Sequence, residues 1–274
     1  MDFIKSELGE NLLERVMGWA EEAFTYAASA RTRLMLCDLQ DKSPGDFVTS
    51  VDISIEKTLC AHILAAFPDH SICAEESLGV TGLSDYCWYI DPIDGTMNYI
   101  RTGQNYCVAI ALYRGNEPVL GVVWGYNGSY AAWRGEVVLF PDVVAVLPQA
   151  QALTEAIVCY SAKSIMRLAE LGGGLTQLLV KTKNHRYAGV AALELCSVAS
   201  GSSDIYFSTS LKPWDYAAAR VILEARGCRF VQLDHPLPFV LAWRSDLLLR
   251  LILDDLPPSI RTQIIWHMEA KAND

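Results

Sequence analysis

The chain has 274 residues, 51% of them hydrophobic and 20% charged, which allows a substantial buried core and excludes a disordered chain. Its formal charge of −10 argues against nonspecific binding to nucleic acid or to an anionic membrane surface. Eight cysteines without a C-x-x-C pair, no signal-like start and no run approaching the ~20 apolar residues of a membrane span point to reduced thiols in a cytoplasmic protein.

Ile4, Leu8, Leu12, Val16, Trp19, Ala23 and Ala27 recur at three- and four-residue steps, predicting an amphipathic helix over 3–36 whose stripe is core. Residues 41–49, with Ser43-Pro44-Gly45, read as a loop or hairpin. A second helix follows over 51–67, with Ile55, Leu59, Ile63 and Leu64 on one face and Pro68-Asp69 at its end. A short apolar strand over 71–74 delivers Glu75 and Glu76, and 81–85 is a loop. The apolar run Trp88-Tyr89-Ile90 reads as a buried strand that halts at Asp91-Pro92, because proline lacks an N–H and fixes φ. Gly95 then allows close approach of backbone to a ligand, and Thr96 suits the opening of a short helix.

Strand-like runs over 106–113, 119–126 and 130–133 alternate with Gly115-Asn116 and Asn127-Gly128, a meander of antiparallel strands. Residues 136–153 carry no clear period and end in a plausible hinge, so halves of 1–148 and 149–274 are expected. The second half alternates: strand 156–160, helix 164–171, glycine loop 172–174, helix 190–200, strand 205–207, helix 214–226 and strand 229–233. The fold class is therefore α/β, with an α+β first half and an α/β second half.

Asp52, Glu75, Asp91, Asp94 and Asp215 are spread along this reading. Any one of them is most simply a solvated acid, and Asp215 alone suits the dipole of a helix start. Buried together they would cost several kcal/mol per ion without a cation, so they are either dispersed on the surface or share metal. Oxygen-only donors of this kind suit a hard divalent cation.

The stretch Asp91-Pro92-Ile93-Asp94-Gly95-Thr96-Met97-Asn98-Tyr99 resembles the signature of the inositol monophosphatase family, magnesium-dependent and lithium-sensitive phosphatases. Three more pieces match the family's order across residues 42–219: Lys42 to Asp52 with Asp46 and Thr49, Ala74-Glu75-Glu76-Ser77, and Lys212-Pro213-Trp214-Asp215. The resemblance implies a layered α-β-α-β-α fold, a homodimer, and two or three Mg²⁺ ions held by Glu75, Asp91, Asp94, Asp215 and the Ile93 carbonyl. It implies that Asp52 and Thr96 orient and deprotonate the attacking water, with Glu75 also catalytic, and that the phosphate sits against the N–H groups of Gly95 and Thr96. Lys42 would lie near the phosphate.

The alcohol half of the substrate would be met by Arg186, Gly189, Val190, Ala191 and Ser208. Ser208 stands where the family often has an acid seven residues before the Trp-Asp aspartate, and a serine cannot match a carboxylate's bidentate acceptance from a diol. The implied activity is hydrolysis of an inositol monophosphate or a related sugar or polyol phosphate. Fructose-1,6-bisphosphate, histidinol phosphate and 3′-phosphoadenosine 5′-phosphate are alternative substrates, and a protein-binding regulator with incidental activity is the alternative role. The partner is a small phosphate ester, with no membrane and no direct nucleic-acid binding expected.

Overall fold

The computed structural model describes residues 8–9, 11–33, 39–43, 46–77, 79–81, 84–141 and 149–270. The chain forms two compact units, Met1–Pro141 with Pro213–Ala225, and Asp142–Lys212 with Arg226–Asp274. Both mix helices with a sheet, so the protein is of the α/β class. The helix that carries Asp215, which lies in sequence between strands of the second unit, packs in the first unit.

In the first unit, α1 (Leu12–Arg31) buries Leu12, Val16, Ala20, Ala23 and Ala27 at the expected spacing, while Trp19 is half-buried. Ile4 and the region around Cys37 lie outside the described residues, as does the Pro44-Gly45 tip of the following turn. That turn joins β1 (Leu39–Ser43) to β2 (Asp46–Thr49), an antiparallel hairpin pairing Gln40 with Val48. Next comes α2 (Ser50–Ala66), which buries Ile55, Leu59 and Ile63. Each such side chain contributes roughly 1.5–3 kcal/mol of apolar burial. Leu64 departs from the expected stripe and is 43% exposed, because it lies one position round the helix from Ile63.

The sheet has seven strands: β3 (Ser71–Ala74), β4 (Gly79–Thr81), β5 (Tyr86–Asp94), β6 (Cys107–Arg114), β7 (Glu117–Gly125), β8 (Gly128–Trp133) and β9 (Glu136–Leu139). Their order is β4-β3-β5-β6-β7-β8-β9, antiparallel throughout except for β3 beside β5. The expected meander is present, and β9 extends it into residues where no period was seen. β4 was likewise not expected, and it takes in Thr81 from the anticipated loop. Both are short strands at the sheet edges, where one neighbour suffices and the sequence pattern is weak.

Helices cover both faces of this sheet. Leu120 and Val122 point to the cluster that holds Leu12, Val16 and Ile55, whereas Gly121 between them meets the backbone of α7 (Pro213–Ala225). Tyr113 points the same way as Gly121, and its hydroxyl donates to the Ala217 carbonyl at 3.0 Å.

The second unit's sheet runs β11-β10-β12-β14-β13, built from β10 (Ile157–Cys159), β11 (Asn184–Arg186), β12 (Ile205–Ser208), β13 (Arg229–Leu233) and β14 (Phe239–Trp243). The first three are parallel and the last two antiparallel. One face packs α4 (Ala162–Glu170), α8 (Asp246–Leu253) and α9 (Pro258–Ala270) around Val158, Ile205, Phe207 and Leu241. The other carries α6 (Ala191–Ser200), whose Ser197 lies near Cys159 on β10. A short α5 (Leu178–Lys181) leads into β11. The strand–helix alternation thus holds through β13, after which β14 follows directly. β14 went unrecognised because all five of its residues are buried, which erases the two-residue period.

The seven described cysteines are free. Among the described residues no helix is long and apolar enough to cross a membrane. Residues 142–148 of the anticipated hinge lie outside the described residues.

Candidate active site

The site is built where β3 and β5 end together. The parallel register pairs Ala74 with Ile90, and the Glu75 N–H continues the ladder by donating to the Ile90 carbonyl at 3.2 Å. Glu75 therefore leaves β3 beside Asp91, the residue that leaves β5. Pro92 falls where β5 has run past its pairing with β3 and where the register with β6 slips between Asp91 and Asp94. Proline is tolerated because no ladder bond is asked of it at that irregularity. Strand pairing does not end there, as the sequence suggested; it resumes with Asp94 opposite Cys107. The irregularity places Asp91 and Asp94 on one short turn, tightened by the Ile93 N–H, which donates to Asp91 Oδ1 at 3.1 Å.

Gly95 follows with φ 88° and ψ 38°, a left-handed conformation that favours glycine, and it caps α3 (Thr96–Arg101). Thr96 is therefore the first helical residue and not the cap. Its hydroxyl lies 3.1 Å from the Ile93 carbonyl and 3.3 Å from Asp52 Oδ1, two acceptors for one proton. The far end of α3 is fixed to α1: Arg31 Nε donates to the Tyr99 carbonyl at 2.7 Å, and the Tyr99 hydroxyl donates to the Ala27 carbonyl at 2.9 Å.

Asp52 lies in the first turn of α2 and is fully buried. Thr49 caps that helix reciprocally: its hydroxyl and its N–H, the latter at 2.9 Å, both donate to Asp52 Oδ2, while the Val51 N–H donates to Thr49 Oγ1 at 3.1 Å. Burial pushes the Asp52 carboxyl up to about 6; the Thr49 bonds oppose the rise and the Glu75 charge adds to it. Asp52 is thus held to one orientation, with Oδ1 left to Thr96. The role of Thr49 was not read from the sequence, although the Thr-x-x-Asp spacing was visible.

Asp91 is 2% exposed, and its carboxyl is raised well above the usual carboxylate range by burial first and then by the charges of Glu75, Asp94 and Asp215. Glu75 also hydrogen-bonds to it. Asp215 contributes from the first turn of α7, which packs on β5. Three acids, Glu75 just past β3, Asp94 on β5 and Asp215 on α7, thus converge on Asp91. Among the described residues no three His, Cys, Asp or Glu side chains are placed as a ready metal site. The donors are nevertheless all oxygen, buried or half-buried and of one sign, the set that suits a hard divalent cation.

The remaining candidates lie in the second unit. Ser208 is buried at the end of β12, and Gly189, Val190 and Ala191 lead into α6. Arg186 is exposed and donates to the Ser202 carbonyl at 3.1 Å, so its guanidinium is partly engaged. Glu194, which the sequence reading passed over within Ala-Leu-Glu-Leu-Cys, is buried and accepts the Ala188 N–H. Nothing is described of the Lys42 side chain.

The family model described as "Inositol monophosphatase family" matches residues 9–255. Inositol-1-monophosphatase of Bacillus subtilis is 32% identical over 197 residues, 70% of this chain and 74% of that protein. Nus factor SuhB of Xylella fastidiosa is 32% identical over 202 residues, 71% of this chain and 73% of its own. The crystal structure of inositol monophosphatase II from Staphylococcus aureus superposes with a TM-score of 0.76 at 24% identity, covering 94% of this chain and 98% of that one, a likeness of fold. The chain belongs to the inositol monophosphatase family.

Proposed function

We propose that the protein hydrolyses a small phosphate monoester, an inositol monophosphate or a related sugar or polyol phosphate, with Mg²⁺. The observation that carries this is the convergence of Glu75, Asp94 and Asp215 on a buried Asp91, beside a Thr96–Asp52 pair. Glu75, Asp91, Asp94 and Asp215, with the Ile93 carbonyl, would hold two or three Mg²⁺ ions. When bound, such ions neutralise charge on the phosphate and acidify the attacking water.

The chain's own residues supply orientation and a proton acceptor. Thr96 Oγ1 takes a proton from the attacking water as its own hydroxyl proton passes to Asp52, which becomes the protonated acid. The carboxyl of Asp52, near pH 6 in its titration, is ionised at neutral pH and stronger as a base than an exposed aspartate. Thr49 keeps Asp52 aimed at Thr96 throughout. The turn at Gly95 brings backbone to the phosphate, and Glu75 would serve catalysis as one of the carboxylates that hold the ions. Positioning and charge neutralisation supply most of the acceleration. Arg186, Gly189, Val190, Ala191 and Ser208 are proposed to contact the alcohol. A neutral Ser208 favours an alcohol that asks for a single hydrogen bond there.

The test is phosphate release from inositol 1-phosphate, fructose 1,6-bisphosphate, histidinol phosphate and 3′-phosphoadenosine 5′-phosphate, with and without Mg²⁺, for wild type and Asp94→Asn. Turnover that needs Mg²⁺, is inhibited by Li⁺ and falls about 10²- to 10³-fold in Asp94→Asn is expected, since the variant loses a charged ligand for the ions that neutralise the phosphate, and loss of one such stabilising contact has effects of this order. Folded wild type inactive on every ester, at saturating Mg²⁺, overturns the proposal.

A second reading has one observation behind it: a relative that is as similar as the Bacillus phosphatase carries the name Nus factor. A regulatory role in contact with a macromolecular partner would then accompany catalysis. The intact carboxylate set favours hydrolysis as the primary activity.

A further inference from the structure

Helix α2 carries a second buried acid one turn beyond Asp52. Glu56 is 3% exposed on the face that also holds Asp52, and its Oε2 accepts the Glu76 N–H at 2.6 Å. An ionised side chain among Ile55, Leu59 and Ile63 is costly to bury, so a carboxylate there needs a compensating partner, and a charge-assisted bond to a backbone N–H is a strong one. The partner is the residue after Glu75.

The consequence for Glu75 is geometric. Its own N–H is tied to the Ile90 carbonyl on β5, and the next N–H along the chain is tied to Glu56. With the peptide groups on both sides anchored, the Cα–Cβ bond of Glu75 has a fixed direction, toward Asp91. One helix face thus serves two parts of the site: Asp52 meets Thr96, and Glu56 meets the turn that follows β3.

We propose that Glu56 is a positioning residue for the metal-binding carboxylates, fixing the Glu75–Glu76 turn by its bond to the Glu76 N–H. This rests on the reading of Glu75 as a Mg²⁺ ligand. Outer partners that orient ligands in this way change metal affinity about 10- to 100-fold when removed.

Two conservative variants separate the bond from the charge. Glu56→Gln keeps an acceptor oxygen at the same reach and removes the charge; Glu56→Asp keeps the charge and withdraws the oxygen by one methylene. Mg²⁺ affinity of each full-length protein is measured by calorimetry, and protection of the Glu76 amide by hydrogen exchange in the metal-free protein. The expected result is a 10- to 100-fold weaker Mg²⁺ affinity and lost Glu76 protection in Glu56→Asp, with Glu56→Gln within about threefold of wild type. Two wild-type-like variants, or Glu56→Gln weakened as much as Glu56→Asp, overturn the assignment. Wild type that binds no Mg²⁺ overturns the metal reading instead, and is recognised because Glu76 protection still differs between the variants.

Discussion

At the scale of the residue, Glu194 shows what a buried acid does to stability. It sits in the first turn of α6, 5% exposed, and its carboxyl accepts N–H groups from Ala188 and Gly189. Burial pushes its pKa up to about 7 from an ordinary 4.5, and those two bonds reduce the rise without cancelling it. The folded protein therefore holds a proton that the unfolded chain has released. Below pH 4.5 both states are protonated and nothing is lost. As pH rises from there through 7 the folded state is penalised, so stability contributed by this group falls across that window. Glu194→Gln removes the titration and keeps an acceptor oxygen. It is expected to match wild type at pH 4.5 and to be more stable at pH 8, by on the order of 2–3 kcal/mol at 1.36 kcal/mol per pKa unit. Urea denaturation midpoints at the two pH values test it, and a difference that does not change with pH removes Glu194 as the cause.

At the scale of the element, α7 approaches the sheet closely enough to depend on one missing side chain. A Cβ on Gly121 would fall on the Ala218 carbonyl oxygen and 2.9 Å from Val221 Cβ, both in a helix of mostly buried alanines and aliphatics. Gly121→Ala forces α7 away from β7, and overpacking of this kind costs about 1–3 kcal/mol. The variant should lower the urea midpoint and weaken Mg²⁺ binding together, since α7 carries Asp215. Stability within about 0.5 kcal/mol of wild type would show that α7 is not seated so tightly. Gly121 lies inside an apolar run, Val119-Leu120-Gly121-Val122-Val123, where the sequence marks a strand but not which face receives a helix. The same distinction runs through the site. Asp91, Asp94 and Gly95 were legible as candidates because Pro92 and Gly95 mark an interruption of an apolar strand within a few residues. Glu56 was not, because a glutamate on an apolar helix face looks like any solvated acid until the Glu76 N–H is seen against it.

At the scale of the molecule, the order of elements hides how the chain is shared out. Strands and helices of the first 133 residues largely fall where their periods place them, since local burial decides them. The partner of each face is a long-range matter, and no local pattern assigned Pro213–Ala225 to the first unit. A chain cut after residue 148, the boundary that the loss of period suggests, lacks this helix. It keeps α1 and α2 over Leu120 and Val122, but it leaves Ala111, Tyr113 and Gly121 on an uncovered sheet face, with the Tyr113 hydroxyl deprived of the Ala217 carbonyl. A seven-stranded sheet with one apolar face open exposes a contiguous patch of the kind that drives association. Fragment 1–148 is therefore expected to bind a hydrophobic dye, to sediment as aggregates and to show no cooperative thermal transition by circular dichroism. A synthetic peptide of residues 213–225 added in excess should reduce dye binding, because it returns the missing layer. A monomeric fragment that melts cooperatively without the peptide would mean that the first 148 residues close their own core, and that α7 serves only to bring Asp215.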